Sequence, residues 1–184
     1  MKTLVLNGSP RKKGDTAALV GALRAALAGE VEELSAFYGN VSPCVDCRSC
    51  NERLGCAIHD GMDAVYADDF DVVVVASPLY MSNLTGPLMN VASRLQVYYA
   101  ARRFLKSPVA LRKKTGVLLL AGGGDGSPDD AVRLAKWIFR FLNADFPEEN
   151  LVLSMNTDAV PAARDEAALQ KIREIAARLN GGEA

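Results

Sequence analysis

All four cysteines of this 184-residue chain lie in one short segment, with the spacing Cys44-x2-Cys47-x2-Cys50-x5-Cys56. Random scatter along the chain would seldom bring them so close together, so the grouping indicates a shared chemical role. Thiolates at these intervals can point inward from one compact loop and hold a [4Fe-4S] cluster. The bacterial ferredoxin run differs, because it ends in Cys-Pro, whereas here five residues precede Cys56 and Ala57 follows it.

Three further roles for the cysteine group stay open. A structural zinc site would use the same thiolates, although paired zinc knuckles usually have more residues between the pairs than separate Cys47 from Cys50. Disulfides can form in an oxidised sample, and unligated thiols can serve as redox sensors. The only histidine, His59, is interpreted as a surface loop residue, and no acid-base catalyst is assigned.

A second group of residues, GSPRKKGDT at 8–16, has the composition of a phosphate-binding loop. It combines glycines, hydroxyls and three cations with the start of a predicted helix, an arrangement that receives a phosphate. It does not match GxGxxG, which would need a glycine in place of Pro10, and it lacks the GK[ST] ending of the Walker pattern. A single monophosphate is therefore favoured over a nucleoside triphosphate, and a solvated turn with an ordinary helix cap is the alternative.

Two more loops could contact a flat ring. The segment SPLYMSNLTGP at 77–87 places apolar and aromatic groups beside backbone amides, although Tyr80 could equally be a packed aromatic that anchors the loop. The three consecutive glycines at 122–124 would allow the backbone to approach the edge of such a ring closely.

The elements that must position these loops are five apolar runs separated by amphipathic stretches, which predict strands joined by helical crossovers in a mainly parallel sheet. Strands are predicted at 3–7, 31–37, 71–77, 115–121 and 151–154. Helices are predicted after the caps Asp15 and Asp60, at 88–95 with a continuation toward Phe104, after 127–129, and at 165–179. Loops at the carboxyl ends of parallel strands bind ligands, so the loops after strands one, three and four are expected to converge.

Composition narrows the possible partners and location. With 21 basic and 22 acidic residues, the formal net charge of -1 gives no field that would gather a polyanion, so no nucleic-acid partner is expected. The opening MKTLVLN is too short for a signal-peptide core, and no run approaches the roughly 18 apolar residues of a membrane span. We expect a cytoplasmic protein with reduced thiols, and a single domain over 1–184 with a cysteine-rich loop at 39–60.

Three motifs together resemble the flavodoxin-like NADPH-dependent FMN reductase superfamily: NGSPRKKGDT at 7–16, SPLYMSNLTGPLMNVASR at 77–94 and AGGG at 121–124. The resemblance covers nearly the whole chain. It implies an α/β, flavodoxin-like three-layer fold with a five-stranded parallel sheet of order 2-1-3-4-5. Within the superfamily, the cysteine pattern is most similar to that of the iron-sulfur flavoproteins, in which Cys44, Cys47, Cys50 and Cys56 would be the metal ligands.

The resemblance implies FMN as the cofactor and divides its contacts between two sets of residues. The residues implied at the phosphate are Ser9, Arg11, Gly14, Asp15 and Thr16. Those implied at the ring are Pro78, Leu79, Tyr80, Met81, Ser82, Asn83, Gly122, Gly123 and Gly124. Asp15 departs from the neutral amide or serine usual at its position, so its carboxylate is expected to face away from the phosphate or to serve only as a cap.

The expected function is that of an FMN-dependent oxidoreductase with a [4Fe-4S] cluster, taking electrons from ferredoxin or NAD(P)H and passing them to a small-molecule acceptor. One alternative is a cluster-free NAD(P)H-dependent flavin, quinone or nitro-compound reductase. Others are a non-enzymatic flavodoxin-like carrier and a zinc-stabilised interaction module. A homodimer or homotetramer is expected, in which the cysteines of one subunit lie near the flavin of that subunit or of its neighbour.

Overall fold

A computed structural model describes residues 1–181 and places six strands of that part of the chain in one sheet. The strands are β1 (Lys2–Asn7), β2 (Glu30–Ser35), β3 (Val72–Pro78), β4 (Lys114–Ala121), β5 (Ala144–Asp145) and β6 (Leu151–Ser154). All pairings between them are parallel, in the order β2-β1-β3-β4-β5, and β6 also pairs with β4. The predicted α/β fold and strand order are confirmed.

The fifth position of the sheet is divided between two strands. β5 pairs with the start of β4 through Thr115 and Asp145, and β6 pairs with its second half, from Leu118 opposite Leu151 onward. Between them the buried Asn150 side chain donates to the Gly116 carbonyl at 3.0 Å. Since β5 has only two residues, it is too short to show an alternating pattern from which the sequence could predict a strand.

Helices cover both faces of the sheet, which gives the three-layer arrangement. They are α1 (Asp15–Ala26), α2 (Ser49–Glu52), α3 (Asp63–Tyr66), α4 (Gly86–Arg94), α5 (Gln96–Arg103), α6 (Asp129–Phe141) and α7 (Glu166–Asn180). The four valines of β3 are at most 2% exposed and point alternately to the two faces. One set of buried side chains packs under α4 and α6, and the other packs under α1 and α7. Between residues 1 and 181, no helix is both long enough and apolar enough to cross a membrane.

Two predicted helix caps are wrong. Gly14, not Asp15, is the N-cap of α1, and Met62, not Asp60, is the N-cap of α3. The Asp15 carboxylate binds the distant Ala162 N–H instead of the helix start. The Asp60 carboxylate accepts from the Met62 N–H through Oδ1, but its Oδ2 binds the distant Arg94. The helix predicted to continue past Leu95 is interrupted there, since α4 ends at Arg94 and α5 begins at Gln96.

Candidate functional site

The loops that follow β1, β3, β4 and β6 surround one cavity of about 300 Å³ at the carboxyl edge of the sheet. Its size is at the low end of the roughly 300–1,000 Å³ usual for ligand sites. Eight of the predicted cofactor residues line it: Ser9, Arg11, Asp15, Thr16, Pro78, Leu79, Tyr80 and Gly123. Ala121, Thr157 and Asp158 complete the lining. The expected convergence of the loops after β1, β3 and β4 is therefore present, with a fourth loop added.

Helix α1 begins at this cavity without a side-chain cap. Gly14 at its N-cap is extended (φ -119, ψ -174), and no side chain of residues 1–181 caps the helix. The hydrogen bond from the Ala18 N–H to the Gly14 carbonyl closes the first turn, so the preceding N–H groups have no acceptor within the helix. Such N–H groups at a helix N-terminus, beside Arg11, make a site for an anion.

The carboxylate of Asp15 binds a backbone N–H outside α1 and does not cap that helix. Its Oδ1 accepts a hydrogen bond from the Ala162 N–H at 3.0 Å, which joins the start of α1 to the segment that leads into α7. Of the two roles expected for the Asp15 side chain, that of a helix cap is excluded, because Gly14 is the N-cap and no side chain of residues 1–181 caps α1. Asp15 therefore lines the cavity and also links the start of α1 to the segment before α7.

The first two loops are held together by a buried hydrogen bond. The Thr85 hydroxyl donates to the Gly8 carbonyl at 2.8 Å, and the Gly8 N–H donates to the Ala76 carbonyl at 2.7 Å. A Cβ at Gly8 would lie only 2.9 Å from the Thr85 hydroxyl, so this close approach requires glycine. In the same loop the Ser9 N–H donates to Asn7 Oδ1, and the Ser9 hydroxyl accepts from the Arg11 N–H at 3.2 Å. The hydroxyl also donates to the Arg11 carbonyl at 3.3 Å, a long contact that a ligand acceptor would have to replace.

The predicted ring segment at 78–83 contains a tight turn. The backbones of Tyr80 and Asn83 exchange two hydrogen bonds, at 2.9 and 3.0 Å, across Met81 and Ser82. Those two central residues have φ of 53° and 59°, the type I′ geometry that glycine and asparagine usually adopt. Tyr80 is 45% exposed and lines the cavity, whereas Met81 is 97% exposed and lies outside the lining, as do Ser82 and Asn83.

The fourth loop, which follows β6, contacts the first two of the three glycines that follow β4. The N–H and the hydroxyl of Thr157 both donate to the Gly122 carbonyl, at 3.0 and 3.1 Å. A Cβ at Gly123 would come within 2.7 Å of the Asp158 carboxylate, so this glycine makes room for the fourth loop. Gly124 has open space around it. Thr157 and Asp158 were not predicted from the sequence. The polar residues that follow β6, at the same edge of the sheet, could have indicated them.

All four cysteines line a second cavity, of about 600 Å³, between the segment at 42–60 and helices α4 and α5. Every thiol is free. Burial raises the pKa of the Cys50 thiol, and the other three cysteines, when ionised, raise it further. In the part of the chain that the structure describes, no three histidine, cysteine or acidic side chains converge as the ligands of a single metal ion would.

The backbone of the cysteine segment is strained and mostly irregular. The residues on either side of Cys47, Asp46 and Arg48, have φ of 49° and 60°, in the left-handed region that costs a non-glycine residue roughly 1–3 kcal/mol. Only the four-residue α2, which contains Cys50, interrupts the loop predicted at 39–59. Such strain persists where the surrounding structure enforces it, and it is concentrated at functional sites.

A buried ion pair ties both ends of the cysteine segment to the end of α4. Arg94 Nη1 donates to Asp60 Oδ2 at 2.7 Å and to the Ser42 carbonyl at 3.0 Å, and Nη2 donates to the Ile58 carbonyl at 2.8 Å. The side chains of Arg94 and Asp60 are 1% and 4% exposed. Burial alone would raise the pKa of Asp60, but Arg94 and two backbone N–H groups lower it below its ordinary value.

Arg94 is absent from the residues predicted on sequence, although a signal for it exists. Arg94 stands three residues after Val91 on the apolar face of α4, and a charged residue on a buried face needs a buried partner. His59, by contrast, is an exposed residue whose Nδ1 lies 3.5 Å from Asp63, as expected of a surface loop residue.

The two cavities have no lining residue in common within the described chain. Helix α4 connects them, because it begins just after the ring segment and ends at Arg94 in the wall of the cysteine cavity. Its nine residues span about 13 Å. The start of α4, after the ring segment, therefore lies about 13 Å from its end in the wall of the cysteine cavity.

Comparisons with known proteins agree on one family. The sequence profile described as NADPH-dependent FMN reductase matches residues 1–158. An iron-sulfur flavoprotein of Methanosarcina thermophila is 34% identical over 128 residues, which are 67% of this chain and 64% of that protein. A second iron-sulfur flavoprotein, from Methanocaldococcus jannaschii, is 30% identical over 139 residues, 72% of this chain and 68% of that protein. The chain thus spans about two thirds of the length of these relatives.

Solved structures with the same fold are more distant in sequence. An FMN-dependent NADH-azoreductase from Bacillus anthracis, solved in complex with FMN, superposes with a TM-score of 0.71 at 17% identity, over 98% of this chain and all of that one. An NAD(P)H:quinone oxidoreductase from Methanothermobacter marburgensis gives 0.65 at 14% identity, over 97% and 96% of the two chains. At these identities the likeness establishes the fold.

Proposed function

Because the chain belongs to the NADPH-dependent FMN reductase family, we propose that it is an FMN-dependent oxidoreductase in which a flavin and an iron-sulfur centre both carry electrons. FMN is the cofactor of this family. The observation that carries the proposal is the uncapped N-terminus of α1, which opens on a cavity lined by the loops predicted to bind the flavin. FMN would supply the redox chemistry, since it exchanges both single electrons and hydride.

The residues of the first cavity would bind and orient the cofactor. The N–H groups at the start of α1, the hydroxyls of Ser9 and Thr16 and the Arg11 side chain are the phosphate contacts. The residues 78–80 and Gly123 would hold the ring, with the 80–83 turn at its margin. Asp158, which lies outside the predicted set, adds a carboxylate to the wall of the site.

The residues of the second cavity fit a [4Fe-4S] cluster by their chemistry. Four free thiols face one space, and each iron of such a cluster takes a separate cysteine, so the ligands of a cluster stand further apart than those of one ion. Arg94 would offset the negative charge of the four thiolates. The ligands are Cys44, Cys47, Cys50 and Cys56, as in the sequence prediction.

Electrons would enter from ferredoxin or NAD(P)H and leave to a small-molecule acceptor. The curated relatives named iron-sulfur flavoproteins support the pairing of the two centres. A homodimer or homotetramer would bring the cysteine cavity of one subunit near the flavin of its neighbour, in addition to the path along α4 within one subunit.

The test is an absorption spectrum of anaerobically purified protein combined with flavin, iron, sulfide and zinc analysis. We expect FMN together with roughly four irons and four sulfides per chain, as a [4Fe-4S] cluster requires. Replacing Cys47→Ser should remove the iron and leave FMN bound, and Ser49→Ala on the same segment is the matched control. A yellow, iron-free protein that oxidises NAD(P)H without an added carrier would instead establish the cluster-free reductase.

A further inference from the structure

The cysteine cavity contains a buried donor that the fold leaves without an acceptor. A guanidinium has five N–H donors in a rigid planar fork, and the Nη groups of Arg94 satisfy three carbonyl or carboxylate oxygens of the flanking segment. The Nε–H is fully buried and has no acceptor among residues 1–181. A buried unsatisfied donor costs roughly 1–3 kcal/mol, so its retention suggests a partner that is bound in the working protein.

The surroundings of Arg94 identify the kind of partner. Arg94 is 2% exposed and lies in the wall of the same cavity as the four thiols. Burial lowers the pKa of Arg94, but Asp60, Tyr66 and the Cys56 thiol raise it more strongly, so the guanidinium remains charged. Asp60 is already its ion-pair partner, which leaves the sulfur side of the cavity as the source of acceptors for Nε.

We propose that Arg94 is a positioning residue for the cysteine centre, whose Nη groups fix the ends of the 42–60 segment and whose Nε–H donates to a sulfur of the bound cluster. The inference rests on the iron-sulfur part of the proposed function. One-electron reduction of the cluster by a reduced carrier adds one negative charge to it. A buried positive donor at a ligating sulfur stabilises that added charge, so Arg94 raises the reduction potential of the centre.

The test compares Arg94→Lys with Arg48→Lys in the full-length protein, purified anaerobically with both cofactors. Lysine at 94 keeps a cation for Asp60 but has no Nε–H donor. Arg48 lines the same cavity with an exposed side chain that pairs with Asp46, so it is the matched control. The measurements are the midpoint potential of the cluster by redox titration, iron and sulfide content, and FMN content as the check on the fold.

We expect the Arg94→Lys cluster to be harder to reduce by at least tenfold in the one-electron equilibrium, which is about 59 mV, with Arg48→Lys unchanged. Loss of iron with FMN retained would also support the positioning role. An unchanged potential at full iron content would overturn it. Wild-type protein without iron would refute the iron-sulfur proposal itself, a result that the wild-type measurement alone reveals.

If Arg94→Lys does not fold, the double variant Arg94→Gln with Asp60→Asn removes both buried charges together. Replacing a buried pair by neutral groups avoids leaving one charge unpaired. The expected result is again a lower potential at equal FMN content, and an unchanged potential would contradict the assignment. A role in folding alone would lower stability and FMN content together, without moving the potential.

Discussion

Asp15 and Asp60 show that the partner of an aspartate near a helix start can lie far away in the sequence. Asp15 and Asp60 both stand near helix starts, and the sequence predicts both as caps. The structure pairs Asp15 with the Ala162 N–H and Asp60 with Arg94, over separations of 147 and 34 residues. Local sequence contains no information about partners so distant, whereas the glycines, hydroxyls and cations at 8–16 can be recognised from local sequence alone.

Asp15→Asn is expected to tighten FMN binding. The asparagine Oδ1 can still accept from the Ala162 N–H, so the joint between α1 and the segment before α7 is kept. The substitution removes a negative charge in the wall of a cavity that would receive a phosphate dianion. The FMN dissociation constant, followed by flavin fluorescence, should fall several-fold, and by more at low than at high salt because screening weakens the repulsion. Asp125→Asn, on an exposed residue outside the lining, is the control, and weaker binding by Asp15→Asn would contradict this orientation of the charge.

The Asp60 carboxylate is expected to make stability depend on acid pH. Its folded pKa lies below the ordinary value of 3.8, so its contribution is complete above that value and is lost as pH falls through the folded pKa. Asp60→Asn leaves Arg94 buried without its counter-charge, at a cost of roughly 3–5 kcal/mol near neutral pH. Urea unfolding at pH 7 and below pH 4 should show this difference shrinking in acid, and Asp63→Asn, at an exposed carboxylate, should show no such trend. If the wild type and Asp60→Asn differed in free energy of unfolding by the same amount at both pH values, the assigned role of the Asp60 carboxylate would be refuted.

At the scale of elements, the long buried runs were the most predictable and the short or irregular pieces the least. β3 is identified by four consecutive valines, because only a strand covered on both faces suits such a run. The break at Leu95 and the two-residue β5 have no periodicity that would reveal them in the sequence. The turn at 80–83 escaped prediction because its left-handed residues are methionine and serine, not the glycine or asparagine that mark a type I′ turn.

Ser82→Gly is expected to stabilise the protein. A left-handed conformation costs a non-glycine residue roughly 1–2 kcal/mol, and the extra freedom of glycine in the unfolded chain offsets roughly 0.5–1 kcal/mol of the gain. The free energy of unfolding should therefore rise by up to about 1 kcal/mol in urea melts. Ser107→Gly, at an exposed serine outside the left-handed region, should lower stability instead, and a loss at Ser82 would contradict the turn geometry.

At the scale of the whole molecule, the alternation of apolar runs and helices was enough to predict a parallel sheet and the edge at which the loops meet, whereas the strand order came from the family resemblance. The fourth loop, from β6, lies at that same edge and follows from the same rule once β6 is included among the strands. The cysteine cavity could not be placed from the sequence, because its walls come from α4 and α5 as well as from the cysteine segment.

The assembly proposed for the protein predicts its behaviour in solution. Light scattering on the FMN-loaded protein should give a mass of two or four chains. The exposed Val45, Tyr99 and Phe104, which line the mouth of the cysteine cavity, would be covered in such an assembly. A monomer over the whole range of accessible concentrations would contradict the arrangement in which one subunit's cysteines approach its neighbour's flavin.

The most direct test of the central claim compares FMN with riboflavin, which differs only in lacking the phosphate. If the start of α1 binds that group, the wild-type protein should bind FMN far more tightly. Each of Ser9→Ala and Thr16→Val should reduce the preference by about 1.5–3 kcal/mol, or roughly ten- to hundredfold. Thr157→Val, whose hydroxyl is engaged with Gly122, should keep the preference intact. Equal affinity for the two flavins, or an undiminished preference in both the Ser9 and Thr16 variants, would contradict phosphate binding at α1.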